Sequence, residues 1–265
     1  MKKGTLLFIL VLTILSCSKK ILKPKFIIFN VKKDSTYVYA HYYIKSPFQL
    51  VIKKKKSNTK KAYILNPLDT LKILQFDSKK IDTLTILNNF NFTTAYGNYK
   101  ITNYDTLYNY QFPFKKNKKY KILQGYNGDF SHNNNYSRYA IDFKMPVVDT
   151  ILAPRNGWIV GITQKHDKQG ITQEFRKYGN YITMYHEDGT FSQYVHLKKN
   201  GALVKLNDFF KKGKAIAISG FTGLTTEPHL HFAVFKPVEN NLESIPIVLN
   251  NKKGETYVRD SIAYY

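Results

Sequence analysis

Short runs of apolar residues separated by turn-forming residues recur along most of this chain, and they constrain its fold more than any other feature. Two alternating runs, YITMYH and TFSQYVHL, are joined through Glu187, Asp188 and Gly189. An Asp-Gly pair between alternating runs is a strong signal for a β-hairpin. Aromatic residues make up 15% of the 265 residues, which also favours strands. The sequence therefore predicts an all-β protein.

The composition of the sequence changes at QFPFKKNKKY, residues 111–120. Over residues 25–115, runs such as TYVYAHYYI, FQLVIKK and TLTILNN follow one another at intervals of roughly ten residues, which predicts a β-sandwich-like accessory domain. Over residues 116–250, glycines recur between the runs and no helical period of useful length appears, which predicts a compact antiparallel β-sheet domain. Residues 251–265 are predicted to form a C-terminal tail or edge strand.

The N-terminus, MKKGTLLFILVLTILSCSKK, combines two lysines with a short apolar run over residues 6–15. A membrane-spanning helix needs about 20 apolar residues, so residues 1–16 are predicted to be a secretory signal peptide. The arrangement before Cys17, the only cysteine of the chain, resembles the lipobox of bacterial lipoproteins. It predicts a lipid on Cys17, attachment to a membrane through that lipid, and a lipidated tether over residues 17–24.

The formal net charge of +23 favours contact with an anionic polymer such as nucleic acid, a membrane surface or cell-wall material. An AT-rich genome would also produce many lysines, alongside the abundant Asn, Ile, Tyr and Phe. A lipid-anchored exported protein does not meet nucleic acid, so no nucleic-acid partner is expected. The predicted location is the cell envelope, with the outer membrane or periplasm favoured. The sequence specifies no oligomeric state.

Histidines and an aspartate lie on the polar sides of predicted strands in the second half of the chain. In PHLHF, strand alternation places His229 and His231 on one face and Leu230 and Phe232 on the other. An apolar back with two imidazoles in front is the arrangement of a metal or catalytic site on a sheet. An isolated pair of surface histidines would have the same pattern.

Two further runs repeat this arrangement. In YAIDF, Asp142 lies opposite its apolar neighbours, and in QYVHL, Tyr194 and His196 share a face. His132 lies on a loop upstream of YAIDF. Imidazole nitrogens and a carboxylate oxygen are ligands that Zn²⁺ favours, with one position left for water at catalytic sites.

These motifs carry a family resemblance. SGFTG before PHLHF, the Tyr-x-His-Leu segment after the Asp-Gly turn, and the upstream His and Asp together resemble the lysostaphin-type zinc metallopeptidases, over residues 120–236. The resemblance implies an endopeptidase that binds one Zn²⁺ per chain and hydrolyses stem or cross-bridge peptides of peptidoglycan. It implies that His132, Asp142 and His231 bind the zinc.

The same resemblance implies that His196 and His229 are catalytic histidines that do not bind metal. One would act as the base for a zinc-bound water that attacks the scissile carbonyl, and the other would stabilise the oxyanion. The chain contains no HExxH motif that would supply a glutamate instead.

Two departures from the family pattern leave alternatives open. Nine residues separate His132 from Asp142, where the family usually has three. His166 and His186 are the other histidines within reach, and both are predicted to be solvated. Glu227 stands where relatives often have glycine, and its carboxylate would either favour protonation of the nearby imidazole or face solvent.

Two other classes of function fit part of the sequence. A non-catalytic zinc-binding regulator of other cell-wall hydrolases would share the fold but would lack one or more of the five site residues. A structural lipoprotein or adhesin with incidental histidines would bind no metal stoichiometrically.

Overall fold

The computed structural model describes residues 35–77 and 83–265, together with the backbone of strands β1 (Ile9–Leu10) and β2 (Phe26–Lys32). The predicted tether and Cys17 lie outside the described residues, as does the predicted signal peptide apart from β1. None of the helices in the described part of the chain has the length and apolarity that crossing a bilayer requires.

The chain divides into two compact units. The first comprises Met1–Asn98 and Val238–Asn241, and the second comprises Tyr99–Pro237 and Leu242–Tyr265. This division falls earlier in the chain than the composition break at residues 111–120.

The first unit contains two antiparallel sheets. Its remaining elements are β3 (Ser35–His41), β4 (Phe48–Lys54), β5 (Lys60–Leu65), β6 (Thr70–Phe76), helix α1 (Thr83–Asn89) and β7 (Phe90–Tyr96). One sheet has the order β1-β2-β3-β6, and the other has the order β5-β4-β7. Alternate residues of β3, including Val38 and Ala40, are buried, as expected of a strand with one face on a core.

One predicted strand of this unit is a helix. TLTILNN forms α1, and its Ile86 is buried in the core. A seven-residue run with apolar and β-branched residues matches a buried strand and a short buried helix equally well, so periodicity alone could not separate them.

Strands dominate the second unit. Its first strands are β8 (Asn109–Tyr110), β9 (Lys119–Gln124), β10 (Ile141–Phe143), β11 (Thr150–Leu152), β12 (Gly157–Thr163), β13 (Gln169–Gly170), β14 (Tyr181–Tyr185), β15 (Phe191–Val195) and β16 (Leu197–Ala202). They are followed by β17 (Phe209–Phe210), β18 (Ala215–Ser219), β19 (Gly223–Leu224), β20 (Leu230–Val238), β21 (Asn241–Ser244), β22 (Val248–Leu249), β23 (Lys252–Lys253) and β24 (Ile262–Tyr264). Two 3₁₀ helices cover Gln173–Tyr178 and Gly254–Thr256.

The main sheet of the second unit has nine strands in the order β17-β12-β14-β15-β20-β10-β9-β24, with β21 pairing with β20. The strands along this path pair antiparallel. The smaller sheets are β11-β18-β16, β13-β19 and β23-β22-β8. The predicted hairpin through Asp188 and Gly189 is confirmed as β14 and β15, with Gly189 at a φ of +91° that favours glycine. Strands β15, β20, β10 and β9 therefore lie side by side.

The core of the second unit lies against one face of this sheet. Ile141, Phe143 and Phe232 are fully buried in it. Phe112 and Phe114 are buried in the same core and stack on each other, with ring centroids 4.8 Å apart. Both residues lie within the predicted accessory domain (25–115), and their burial here explains why this stretch belongs to the second unit.

A buried ion pair reinforces the β14–β15 turn of the second unit. The Arg155 guanidinium donates to Asp188 Oδ2 at 2.9 Å and to the Tyr110 hydroxyl at 3.0 Å. It also lies 3.9 Å from the centre of the Tyr108 ring. Removing one partner of a buried pair leaves the other charge uncompensated, which costs more than the pair itself contributes.

We expect Arg155→Ala to lower the free energy of unfolding of the second unit by about 3 kcal/mol, because the Asp188 carboxylate would stay buried without its cation. Trp158 on β12 is the only tryptophan of the chain, so its fluorescence during urea unfolding reports this unit. Lys199→Ala is the control, since Lys199 pairs with Asp167 at an exposed surface. Equal losses in the two variants would contradict the prediction.

Candidate metal centre

Asp142 and His231 face each other across two neighbouring strands. They are register partners between β10 and β20, and Asp142 Oδ1 lies 2.8 Å from His231 Nδ1. Their strand neighbours Ile141, Phe143 and Leu230 point into the core and are fully buried. The alternation predicted for YAIDF and PHLHF therefore places this carboxylate and this imidazole on the sheet face away from the core.

His132 reaches the same point from a loop between β9 and β10. Its side chain is fully buried, and its Nε2 lies 3.2 Å from Asp142 Oδ2 and 3.3 Å from His231 Nδ1. Its Nδ1 lies 2.8 Å from the Gly125 carbonyl, to which an Nδ1–H donates. That hydrogen bond selects the tautomer whose Nε2 lone pair faces the other two groups. The rest of the loop and the first residue of β10 therefore supply the nine residues that separate His132 from Asp142 in the sequence.

These three side chains have the donor set and spacing of a zinc site. Their ligand atoms all lie within 4.8 Å of one another, and they form a His132, Asp142 and His231 group. Two ligand atoms at tetrahedral positions around zinc would lie about 3.3 Å apart, given metal–ligand distances of about 2.0–2.1 Å. The distances of His132 Nε2 to Asp142 and to His231 match that spacing. The residues present therefore fit the ion.

Burial and neighbouring charges set the protonation of this group. Burial raises the pKa of the Asp142 carboxyl, but the positive charges of His132, His229 and His231 outweigh burial and hold the pKa well below its ordinary value. Burial lowers the pKa of His231 to about 4, against the attraction of Asp142. An ionised carboxylate and a neutral imidazole are the forms that bind a metal ion.

His196 lies directly after β15 and points toward this group. Its backbone has a φ of +67°, which few residues other than glycine adopt, and its ring centroid lies 6.1 Å from that of His231. Its Nδ1 lies 2.7 Å from the Thr222 carbonyl, to which an Nδ1–H donates. Burial and the neighbouring His229 and His231 place the pKa of His196 well below its ordinary value.

His229 lies directly before β20, beside His196. The two ring centroids are 4.4 Å apart, and His229 Nε2 lies 3.8 Å from Asp142 Oδ2. His229 Nδ1 lies 2.8 Å from the Glu227 carbonyl and 3.1 Å from Thr225 Oγ1. Both His196 and His229 thus have Nδ1 beside a backbone carbonyl, which leaves Nε2 of each for chemistry.

Two sequence expectations about neighbouring residues are wrong. Tyr194 does not share the face of His196: it is fully buried in the core against Phe232, because the strand ends at Val195 and the backbone turns. His186 is not solvated: it is fully buried, between the Asn156 carbonyl and Ser192 Oγ.

The other two open residues have different outcomes. His166 is partly exposed, and its backbone is paired with the Asn180 side-chain amide. The Glu227 carboxylate forms an ion pair with Lys144 at 2.6 Å, while its backbone carbonyl is the group beside His229. Glu227 thus contacts Lys144 through its partly exposed carboxylate and His229 through its backbone carbonyl.

Sequence reasoning missed the residues that orient the site. Gln124 at the end of β9 donates to Asp142 Oδ2 at 3.1 Å. Thr222 holds His196 through its carbonyl and donates its hydroxyl to Leu197 O at 2.9 Å. Gly223, which follows Thr222, has a φ of +89° and lies so close to Gly179 that a Cβ would not fit. The glycines that follow Gln124 and Thr222 were the available signal, and they carried no chemistry by themselves.

An open groove runs along the site. It is lined by Asp142, His196 and His229, by the loop over residues 125–131, and by residues 258–260 near the C-terminus. His196 and His229 therefore both border this groove.

Fold and site together define a β protein with a candidate metal centre built from histidine and aspartate. Residues 136–244 match the model of peptidase family M23. The match covers less than half of the chain and shows a similarity to this family over that segment. The matched segment contains Asp142, His196, His229 and His231 and begins after His132.

Similar proteins match part of the chain. An uncharacterized metalloprotease of Buchnera aphidicola is 37% identical over 128 residues, which cover 47% of this chain and 30% of the relative. The peptidoglycan DD-endopeptidase ShyB of Vibrio cholerae is 32% identical over 109 residues, which cover 40% of this chain and 23% of the relative. The solved catalytic domain of the antimicrobial peptidase lysostaphin from Staphylococcus simulans is 29% identical, with a TM-score of 0.35, and the match covers 48% of this chain and 87% of that one. The chain spans less than a third of the length of the first two relatives.

We expect His186 to make the stability of the second unit depend on pH. Burial lowers the pKa of His186 to about 4, so between pH 6.5 and 4 the unfolded chain binds a proton that the folded chain excludes. The stabilisation is therefore complete above pH 6.5 and is lost as the pH falls toward 4, by roughly 3 kcal/mol.

The measurement is the urea unfolding free energy from Trp158 fluorescence at several pH values, for the wild type and for His186→Gln. Contributions of other groups cancel in the difference between the two proteins. A difference that stays constant from pH 7 to 4 would show that His186 does not exclude the proton.

Proposed function

We propose that this protein is a zinc-dependent endopeptidase that hydrolyses peptide cross-links of bacterial peptidoglycan. The observation that carries the proposal is the convergence of three ligand atoms within 4.8 Å, flanked by the two further imidazoles of His196 and His229. The similarity to peptidase family M23 and the relative described as a peptidoglycan DD-endopeptidase support it.

In this proposal His132, Asp142 and His231 hold one Zn²⁺. When bound, zinc supplies a Lewis acid that polarises the scissile carbonyl and lowers the pKa of water at the site. Gly125 fixes His132 in the tautomer that directs Nε2 to the metal, and Asp142 contributes the negative charge that offsets part of the charge of the cation. The buried core face beneath β10 and β20 keeps these side chains in place.

His196 and His229 move the proton. A neutral imidazole whose Nδ1–H donates to a carbonyl presents an Nε2 lone pair, which accepts a proton from the attacking water. The second imidazole, when protonated at Nε2, donates to the developing oxyanion. Since the rings are 4.4 Å apart in a buried site, two positive charges there would repel strongly, and the pair works best when only one of the two Nε2 atoms is protonated.

The substrate proposed is the peptide part of peptidoglycan. The net charge of +23 favours association with an anionic wall, and the groove is open to an extended peptide. We favour D-alanyl–diaminopimelate cross-links over glycine bridges, because the Vibrio cholerae relative is a peptidoglycan DD-endopeptidase. The proposed placement is the cell envelope, with a lipid on Cys17 as the anchor and the first unit positioning the peptidase at the wall.

The five site residues give a direct test of this division of roles. We expect His231→Ala to abolish stoichiometric zinc binding, because it removes one of three ligands. His196→Ala and His229→Ala should keep zinc bound and lower hydrolysis by about 10²–10⁴, the range of general acid–base groups. Zinc content by elemental analysis and release of new amino groups from purified peptidoglycan measure the two effects.

The outcomes separate the rival functions. Zinc binding without amine release in the wild type would indicate a non-catalytic regulator instead. Absence of zinc would leave a structural lipoprotein. Full activity of His196→Ala or His229→Ala with metal intact would remove that histidine from the mechanism.

The choice of cross-link is tested with purified muropeptides. We expect the zinc-loaded protein to cleave a D-alanyl–diaminopimelate cross-linked dimer faster than a glycine-bridged one, as measured by chromatography of the products. A chelator should abolish cleavage, and added Zn²⁺ should restore it. Faster cleavage of the glycine-bridged dimer would overturn this substrate choice while leaving the reaction type intact.

A further inference from the structure

We propose that Gln124 is a positioning residue that joins the two segments carrying His132 and Asp142 into one metal site. Gln124 is the last residue of β9 and the register partner of Asp142 on β10. Directly opposed residues in neighbouring strands project their side chains from the same sheet face. The loop that carries His132 begins with the next residue, Gly125.

The side-chain amide of Gln124 uses its full hydrogen-bonding capacity. Its Nε2 donates to Asp142 Oδ2 at 3.1 Å and to Ser131 Oγ at 2.9 Å. Its Oε1 accepts from the backbone N–H groups of Phe130 at 3.0 Å and Ser131 at 3.2 Å. An amide has two donors and an oxygen with two lone pairs, so the described contacts satisfy both ends. Because backbone N–H groups only donate, they also fix which end of the amide faces Asp142.

These bonds connect the metal-ligand loop to the ligand carboxylate. Phe130 and Ser131 directly precede His132, so holding their N–H groups fixes the backbone from which His132 projects. The donation to Asp142 Oδ2 fixes the rotation of the carboxylate, whose Oδ1 faces His231 at 2.8 Å. Gln124 thus sets the distance between two proposed ligands without occupying a ligand position.

The loop backbone is built around this side chain. A Cβ at Gly128 would lie 2.1 Å from Gln124 Cγ and 2.7 Å from Gln124 Oε1. No atom other than hydrogen fits there while Gln124 keeps its four hydrogen bonds. Only a glycine at 128 lets the loop close over the amide, and this packing is a second observation that the position of Gln124 is specified.

The inference rests on the proposed zinc site and is tested by metal affinity. We expect Gln124→Met, which keeps the length but removes all four hydrogen bonds, to weaken Zn²⁺ binding by about 10–100-fold, the usual effect of losing a partner that orients a ligand. Competition with a chromophoric chelator measures the dissociation constant. The visible absorption spectrum of Co²⁺-loaded Gln124→Met should differ from that of the Co²⁺-loaded wild type in position or intensity, since that spectrum reports ligand geometry.

A matched control separates positioning from general stability. Gln193 on β15 is another buried glutamine of the second unit, and its amide bonds to Thr183 Oγ1 and the Tyr136 hydroxyl. Gln193→Met should lower the melting temperature of the metal-free protein as Gln124→Met does, yet leave Zn²⁺ affinity and the Co²⁺ spectrum unchanged. Equal affinity loss in both variants would assign the effect to stability and overturn the proposal.

A second variant covers the case in which Gln124→Met does not fold. Gly128→Ala keeps the amide but displaces it, so we expect weaker Zn²⁺ binding here as well, by at least several-fold. If a folded Gln124→Met protein binds Zn²⁺ with wild-type affinity, the positioning role is contradicted and the proposed function is not. Gly128→Ala gives the same test if only that variant folds. Failure of the wild-type protein to bind Zn²⁺ would instead remove the proposed function.

Discussion

The buried carboxylate of Asp142 is the group on which the rest of the site depends. A carboxylate taken out of water is costly unless charges or hydrogen bonds compensate it, and here His132, His231 and Gln124 contact it directly. Each of these partners comes from a different segment, so the compensation also brings the segments together. The sheet supports this arrangement from behind, because the residues on either side of Asp142 are fully buried in the core.

In the other two histidines of the site, His196 and His229, the two ring nitrogens have different roles. His196 and His229 are each held at Nδ1 by a carbonyl, one from Thr222 and the other from Glu227. Backbone carbonyls accept hydrogen bonds and do not titrate, so they fix the orientation of the ring at any pH at which the protein is folded. Two rings oriented in this way present the same atom to the groove and differ only in their neighbours.

Much of the fold followed from local sequence, and so did part of the site. The Asp-Gly hairpin and the faces of Asp142 and His231 depend on strand alternation, which the structure follows. Alternation failed for Tyr194 and His196 because the backbone turns at His196 into a conformation that no periodic pattern encodes. The burial of His186 and the helix at TLTILNN depend on which distant residues pack against them. A local sequence pattern does not contain tertiary contacts of this kind. The hydrogen bonds of the Gln124 amide could not be predicted for the same reason.

The loop that carries His132 has a wider implication. This histidine reaches the carboxylate from a segment that lies before the family match, with nine residues between His132 and Asp142 in the sequence. A metal site requires only that each donor atom lie at the right position, whatever the path of the chain that leads to it. The length of chain between two such side chains is therefore free to vary, as long as the loop between them brings their donor atoms to the same point.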